Sequence, residues 1–363
     1  MSAILIASLF LITPVEGTET RTMDIALADL TGDGQLDVIR AVEGGTNQIL
    51  VQAGSDWVPA PSLAFIEDGS DSEDIAIADL DGDGRLDVVF ANEDTFTQHI
   101  YFNRGEAGLF PAFDRFDFQA RSNTVIAVDL DADGDTDLVF GDSGPVVFLI
   151  NDGTGHFEIR REAHPNNPHA VQDIEAGDVD ADGDLDLVIA SEGPNRLLMN
   201  NGHGVFTAAA LPFGTLPELE ETREADFGDL DGDGDLDLYF ANVGFRTQSP
   251  SGAPDRVLLN DGSGQFTPLP GALPARTVHS LDIDFVDLDV DGDLDGILAA
   301  SFGGGVRTLI NDGSGHFTEG RELAGSELDA LDTEVLPGGE YIYVAGVRSL
   351  DAVLALRTPD SQD

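Results

Sequence analysis

Apolar residues come in short runs along this chain, spaced at strand rather than helix period. An alternating stretch such as Asp74-Ile-Ala-Ile-Ala78 leads into an acidic, glycine-bearing segment. A continuous apolar run follows, such as Val88-Val89-Phe90 or Leu238-Tyr239-Phe240. Alternation marks a half-buried strand, and a short apolar run bounded by turn residues marks a buried one. After a variable linker comes a third run, such as Arg256-Val-Leu-Leu259, then a turn, Asn260-Asp-Gly-Ser-Gly-Gln-Phe266, and a last strand running on from the phenylalanine. The turn recurs at 151–157, 200–206 and 311–317. Its Asp-Gly or Asn-Gly pair supplies the left-handed positions of a tight hairpin.

The acidic segments begin at Asp29, Asp79, Asp129, Asp178, Asp229 and Asp287, spaced by 50, 50, 49, 51 and 58 residues. A period near 50 marks a repeat architecture in which each unit buries its apolar face on its neighbours. Four short strands per unit, Gly-rich turns and no helical periodicity predict an all-β fold, a seven-bladed β-propeller of four-stranded antiparallel blades. It would be a single domain over residues 1–363, with six blades carrying an acidic loop. The seventh unit, residues 318–358, aligns Asp329-Ala-Leu-Asp-Thr-Glu334 with Asp74–Asp79 and replaces the loop with Pro337-Gly338-Gly339. Strands at Tyr341-Ile-Tyr-Val344 and Ala352-Val-Leu-Ala-Leu356 follow, and a fourth is missing. Residues 1–17 have two readings. The apolar run from Ala3 to Ile12 has the length of a signal-peptide core, without a basic start or a clear small-x-small cleavage site. Alternatively, Phe10 stands 19 residues before Asp29, as Phe110 does before Asp129, and opens a strand that closes the ring on the seventh blade.

The fifth acidic segment, Asp229-Leu-Asp-Gly-Asp-Gly-Asp-Leu-Asp237, has the spacing of a loop curled round a hard cation. Ca²⁺ takes oxygens from alternate residues of such a loop. Positions 1, 3 and 5 (Asp229, Asp231, Asp233) would give side-chain oxygens, position 7 (Asp235) its carbonyl and position 9 (Asp237) a closing carboxylate. Gly234 permits the sharp bend. The corresponding positions are Asp29, Thr31, Asp33, Gln35 and Asp37 in loop 29–37, and Asp79, Asp81, Asp83, Arg85 and Asp87 in loop 79–87. They are Asp129, Asp131, Asp133, Asp135 and Asp137 in loop 129–137, and Asp178, Asp180, Asp182, Asp184 and Asp186 in loop 178–186. The last set is Asp287, Asp289, Asp291, Asp293 and Asp295 in loop 287–295. These are not EF-hands: position 12 is Arg40, Phe90, Phe140, Ile189, Phe240 or Leu298 rather than Glu, and a strand follows. About six Ca²⁺ per chain are expected.

Composition narrows the partners. The formal charge is −52, and six Ca²⁺ would leave −40. Nucleic acid is excluded, because phosphate binding needs clustered basic residues. All 17 basic residues are Arg and none of the 363 is Cys, which excludes Lys-based and Cys-based chemistry and disulfides. No apolar run reaches the length of a membrane span.

The loops and the apolar strand after each resemble FG-GAP/VCBS repeats, which share their calcium loops with the propeller of integrin α subunits. The resemblance covers nearly the whole chain, with Thr31 and the loopless seventh unit as departures. It implies a seven-bladed propeller, extracellular or on the cell surface, with Ca²⁺ between the first two strands of a blade. The function expected is a calcium-stabilised binding or adhesion module for a protein or glycan. The alternative is a carbohydrate-active enzyme such as a polysaccharide lyase, for which His164, His169 and His279 are the candidate bases. His156, His203 and His316 read as solvated turn residues.

A candidate ligand face lies opposite the loops. Five residues before each loop stand Asp24, Asp74, Thr124, Asp173, Glu224 and Asp282, with Asp329 placed likewise before Glu334. They are expected to ring the channel mouth, flanked by Phe96, Phe245 and Arg246 on variable linkers. Such a ring would attract a cation, a basic segment or sugar hydroxyls, or else cap nearby backbone amides.

Overall fold

The computed structural model describes residues 12–15, 18, 20–53, 56–60, 65, 70–94, 96–105, 110, 114–117, 121–142, 146–161, 169–211, 221–244, 252–275, 277–302, 304–320, 330–336, 341–346 and 351–355. They form seven four-stranded antiparallel sheets, with no helix among the described residues. Blade 1 runs from its innermost strand Thr22–Ala28 through Asp37–Val42 and Gln48–Ala53 to Asp56–Pro59. Blades 2 to 6 repeat this order, opening on Ser72–Ala78, Ser122–Val128, Val171–Gly177, Glu221–Gly228 and His279–Val286.

Blade 7 takes three strands from the end of the chain, Ala330–Val335, Tyr341–Gly346 and Ala352–Ala355. Its outer strand is Ile12–Pro14, which pairs with the last of them, Thr13 opposite Val353. The sheet edge that an open ring would expose is thereby covered. Phe10 and the residues before it lie outside the described set.

The core is divided among the blade interfaces. Seven buried apolar clusters each join two neighbouring blades. Between blades 1 and 2, Ile39, Ile49 and Phe65 meet Val88, Phe90 and Tyr101. The second strand of each blade is buried on both faces, which explains its continuous apolar run: Asp87–Asn92 and Asp137–Asp142 are buried throughout.

Every innermost strand carries a register shift near its start, between Thr22 and Asp24 in blade 1 and between Ala330 and Asp332 in blade 7. Beyond the shift, Asp24, Asp74, Asp173, Glu224, Asp282 and Asp332 each lie opposite an alanine, Ala41, Ala91, Ala190, Ala241, Ala299 and Ala345. The seventh member of the ring is therefore Asp332 rather than Asp329, which lies outside the described residues. Counting back from Glu334 fails because this blade has no loop to fix the register.

Candidate metal loops and channel cavity

In all six loops the residue at position 4 is left-handed. Gly32, Gly82 and Gly232 fill it in three, but Ala132, Ala181 and Val290 hold φ of 59°, 58° and 67° in the others. The position-6 glycines follow, with φ between 83° and 104°. A left-handed valine costs free energy, so the surrounding structure must impose the bend. Part of it comes from position 1: Asp79 accepts the amides of Asp83 and Gly84, and Asp178 those of Asp182 and Gly183.

Position 9 anchors the loop to its blade. Asp87 accepts the amide of Leu80 through Oδ2 and that of Asn103 through Oδ1, both in buried positions. Asp137, Asp186, Asp237 and Asp295 repeat the pair with Asn151, Asn200, Asn260 and Asn311. The same asparagine side chains donate to the preceding blade's loop: Asn103 to Leu30 O, Asn151 to Leu80 O and Asn200 to Leu130 O. Burial, offset by these amides, pushes Asp87, Asp137, Asp186 and Asp237 up to about 6. The loop is thus tied to the turn beginning each fourth strand. Position 7 tightens the tie: a methyl group on Gly153 or Gly262 would stand 2.5 Å from a carboxylate oxygen of Asp135 or Asp235.

At least four loops bring carboxylate oxygens within 4.8 Å of one another: Asp79, Asp81 and Asp87; Asp129, Asp131 and Asp137; Asp178, Asp180 and Asp182; Asp229, Asp231 and Asp237. Buried oxygens of Asp81, Asp129, Asp131 and Asp180 have no hydrogen-bond partner among the described residues. Converging carboxylates that keep buried oxygens without a donor fit a hard cation, which would neutralise them and take those lone pairs. Positions 1, 3, 5 and 9 are the side chains that would hold it. Loop 79–87 differs, because Arg85 pairs with Asp83, and Arg104 Nη1 reaches Asp81 Oδ2 at 2.5 Å.

At the other end of the innermost strands lies a cavity of about 850 Å³ lined from all seven blades. Asp24, Asp74, Thr124, Asp173, Glu224, Asp282 and Asp332 all line it. Four of these carboxylates bond the next blade: Asp74 accepts from Val125 N (2.6 Å), Asp173 from Ala225 N (3.0 Å), Asp282 from Thr333 N (2.9 Å) and Asp332 from Ile25 N (2.8 Å). Much of the ring therefore staples blades together.

A second acidic tier was missed in the sequence. Two residues further along each strand, and so facing the same way, stand Glu175, Asp226, Asp284 and Glu334 in blades 4 to 7, but Ala26, Ala76 and Ile126 in blades 1 to 3. At this tier the channel is acidic on the side of blades 4 to 7 and apolar on the side of blades 1 to 3. The count back from each loop that found the first tier would have found Glu175, Asp226 and Asp284 three residues before Asp178, Asp229 and Asp287. Burial first, then repulsion from neighbouring carboxylates, raises groups of both tiers, Asp173 and Glu175 to about 8 and Glu334 to about 7, and Glu73 at the mouth, repelled by Glu93 and Asp71, to about 8.

The mouth also holds Phe302, 66 % exposed with φ of 53°, in the turn closed by Gly304 N to Ser301 O (3.0 Å). Phe96 is exposed, stacks under Arg121 and does not line the cavity. Phe245, Arg246 and His164 lie outside the described residues. Neither His169 nor His279 lines the cavity; buried His279 accepts from Gly244 N and faces Phe302.

A family model of the FG-GAP-like repeat matches residues 29–90, 129–189 and 178–240, each beginning at the first aspartate of a loop. This chain is a propeller of FG-GAP-like repeats. Solved structures share the fold of this FG-GAP propeller across nearly its whole length. One is an Agrocybe aegerita lectin that recognises non-reducing terminal N-acetylglucosamine, at 20 % identity and TM-score 0.59 over 93 % of this chain and 85 % of that one. Another is the BBS1 N-terminal domain in complex with ARL6, at 15 % identity and TM-score 0.61 over 97 % and 98 %. A third is the extracellular domain of the putative one-component system BT4673 from B. thetaiotaomicron, at 9 % identity and TM-score 0.59 over 95 % and 39 %. No curated protein matches the sequence. No helix among the described residues is long and apolar enough to cross a membrane.

Proposed function

We propose that this FG-GAP propeller is an extracellular or cell-surface binding module, with Ca²⁺ in its six aspartate loops and a protein or glycan ligand on the opposite face. The observation that carries the ligand site is the cavity of about 850 Å³, ringed by carboxyl groups and edged by the exposed ring of Phe302 on a left-handed backbone. Carboxylates accept from sugar hydroxyls or from a basic side chain, and an aromatic face stacks on either. Two structures of the same fold bind a glycan and a protein, respectively. Calcium's part is to neutralise the loops and hold each blade's first two strands to its third-to-fourth turn.

The test is binding to a glycan array and to surface-protein extracts, comparing the native protein with Phe302→Ala and Glu224→Gln. Neither replaced side chain accepts a backbone amide of the next blade. Binding that weakens at least tenfold in these variants, at unchanged calcium content, supports the site. Unchanged binding moves the ligand elsewhere.

A further inference from the structure

Hydrogen-bond arithmetic in the channel leaves protons to be supplied. Thr333 Oγ1 lies 2.7 Å from Asp282 Oδ2 and 2.7 Å from Asp284 Oδ2. A hydroxyl carries one proton and can donate to only one carboxylate. Asp282 Oδ2 also accepts Thr333 N at 2.9 Å, so it is the carboxylate held by donors. The contact to Asp284 then requires a neutral Asp284 carboxyl that donates to the hydroxyl. On the seam of blades 1 and 2, burial and the neighbouring Asp74 raise Asp24 well above the ordinary carboxylate range, while Asp74 Oδ2 is held by the Val125 amide at 2.6 Å.

The surroundings offer few cations. Facing the channel are Asp24 from blade 1, Glu73 and Asp74 from blade 2, Asp173 and Glu175 from blade 4, Glu224 and Asp226 from blade 5, Asp282 and Asp284 from blade 6, and Asp332 and Glu334 from blade 7. Blade 3 contributes Asn123 and Thr124, without charge. Among the described residues, the cations that reach the mouth are Arg21, paired with Glu43 at 2.5 Å, and Arg223, paired with Glu221 at 2.9 Å. Like charges this close cannot all ionise together.

We propose that the channel is a pH-sensitive clamp, in which protons shared among the carboxyls of blades 5 to 7 and across the seam to blade 1 hold that sector together, and their loss loosens it. The release is a simple ionisation: the proton of a neutral carboxyl goes to water, and two carboxylates are left facing one hydroxyl proton. The sign is fixed by burial and repulsion, which raise Asp226, Asp284 and Asp332 well above the ordinary carboxylate range and Glu334 to about 7. Between that range and about pH 8 the folded chain binds more protons than the unfolded one. The stabilisation is full below the unfolded carboxylate range and is lost as pH rises through neutrality.

The test compares thermal unfolding of the native protein and of Asp284→Asn with Glu334→Gln, from about pH 5 to about pH 8.5 at fixed calcium and ionic strength. The native midpoint should fall by roughly 5 °C or more. In the variant, whose amides stay neutral, the fall should be clearly smaller, the remainder coming from the other channel and loop carboxyls that titrate alike in both proteins. Infrared difference spectra near neutral pH should show a neutral-carboxyl band in the native protein that is reduced in the variant. Should Asp284→Asn not fold, Glu334→Gln alone and the native infrared band decide. Equal pH dependence in native and variant proteins, or no neutral-carboxyl band, overturns the proposal.

Discussion

Arg40 and Asp351 form an ion pair, Nε to Oδ2 at 2.7 Å, with neither side chain exposed to solvent. Arg40 belongs to the second strand of blade 1, and Asp351 precedes the third strand of blade 7. Asp351 also accepts from Tyr343 Oη (3.1 Å), Gly346 N (3.1 Å) and Thr22 Oγ1 (3.0 Å), and its own amide donates to Thr18 (3.0 Å). The blades that must meet to close the ring are thus locked by a fully partnered charge pair. Asp255 plays a similar part between blades 5 and 6, accepting from Tyr239 Oη, Asn242 N and Ser280 Oγ.

Breaking the lock on one side leaves a buried charge alone. Asp351→Ala is expected to cost about 3–5 kcal/mol, because Arg40 stays without an anion. Replacing both, with Arg40→Met and Asp351→Leu, should cost less than the single change. Denaturant unfolding of the three proteins checks the order.

The fold was legible because its signals repeat. A fifty-residue period, alternating strands and Asn-Asp-Gly turns agree with one another, and each recurs in several blades. The position of the aspartate loops was legible for the same reason, down to Thr31 and the loopless seventh unit, whereas the pairing of Arg85 with Asp83 was not. What the sequence hid is mostly contact between distant residues. Arg40 reads as an ordinary polar break in the strand Asp37–Val42, and nothing in its spacing points to a partner 311 positions away. The seventh ring member was misplaced because the register shift that puts Asp332, not Asp329, opposite Ala345 belongs to strand pairing. Phe302 at the mouth follows from the turn after Ser301; Phe96, one of the two aromatics that the sequence favoured, stacks instead beneath Arg121.

Removing residues 1–15 takes away the outer strand Ile12–Pro14, together with the Val15 amide that donates to Asp351 O at 2.9 Å. The exposed edge of Ala352–Ala355 should then lower the unfolding midpoint and promote association. Calorimetry and light scattering of the shortened protein test this. An unchanged midpoint would mean that the strand contributes nothing to closure.

Gly262→Ala should strain the tie between loop and turn. The residue has φ of +75°, and the new methyl group would meet the Asp235 carboxylate at 2.5 Å. A cost of about 1–3 kcal/mol is expected. Gly271→Ala is a control for backbone strain alone, at φ of +76° with open space around the added carbon. The difference between the two variants measures the contact.

Thr31 leaves loop 29–37 with one carboxylate fewer at position 3 than the other loops. Thr31→Asp should tighten one calcium site by roughly three- to tenfold, since ligand charge tunes affinity. Calorimetric titration of both proteins reads it directly. Superimposable curves would mean that position 3 does not reach the ion.

The calcium content of the native chain is the most direct test of the loops. The protein is stripped with chelator, dialysed against Ca²⁺ at about 1 mM, the weak end of the range for extracellular modules, and analysed for bound metal. Six aspartate loops should hold about six Ca²⁺ per chain, and refilling them should raise the unfolding midpoint. Two or fewer bound ions, or a midpoint that calcium does not move, would contradict the reading of these loops as metal sites.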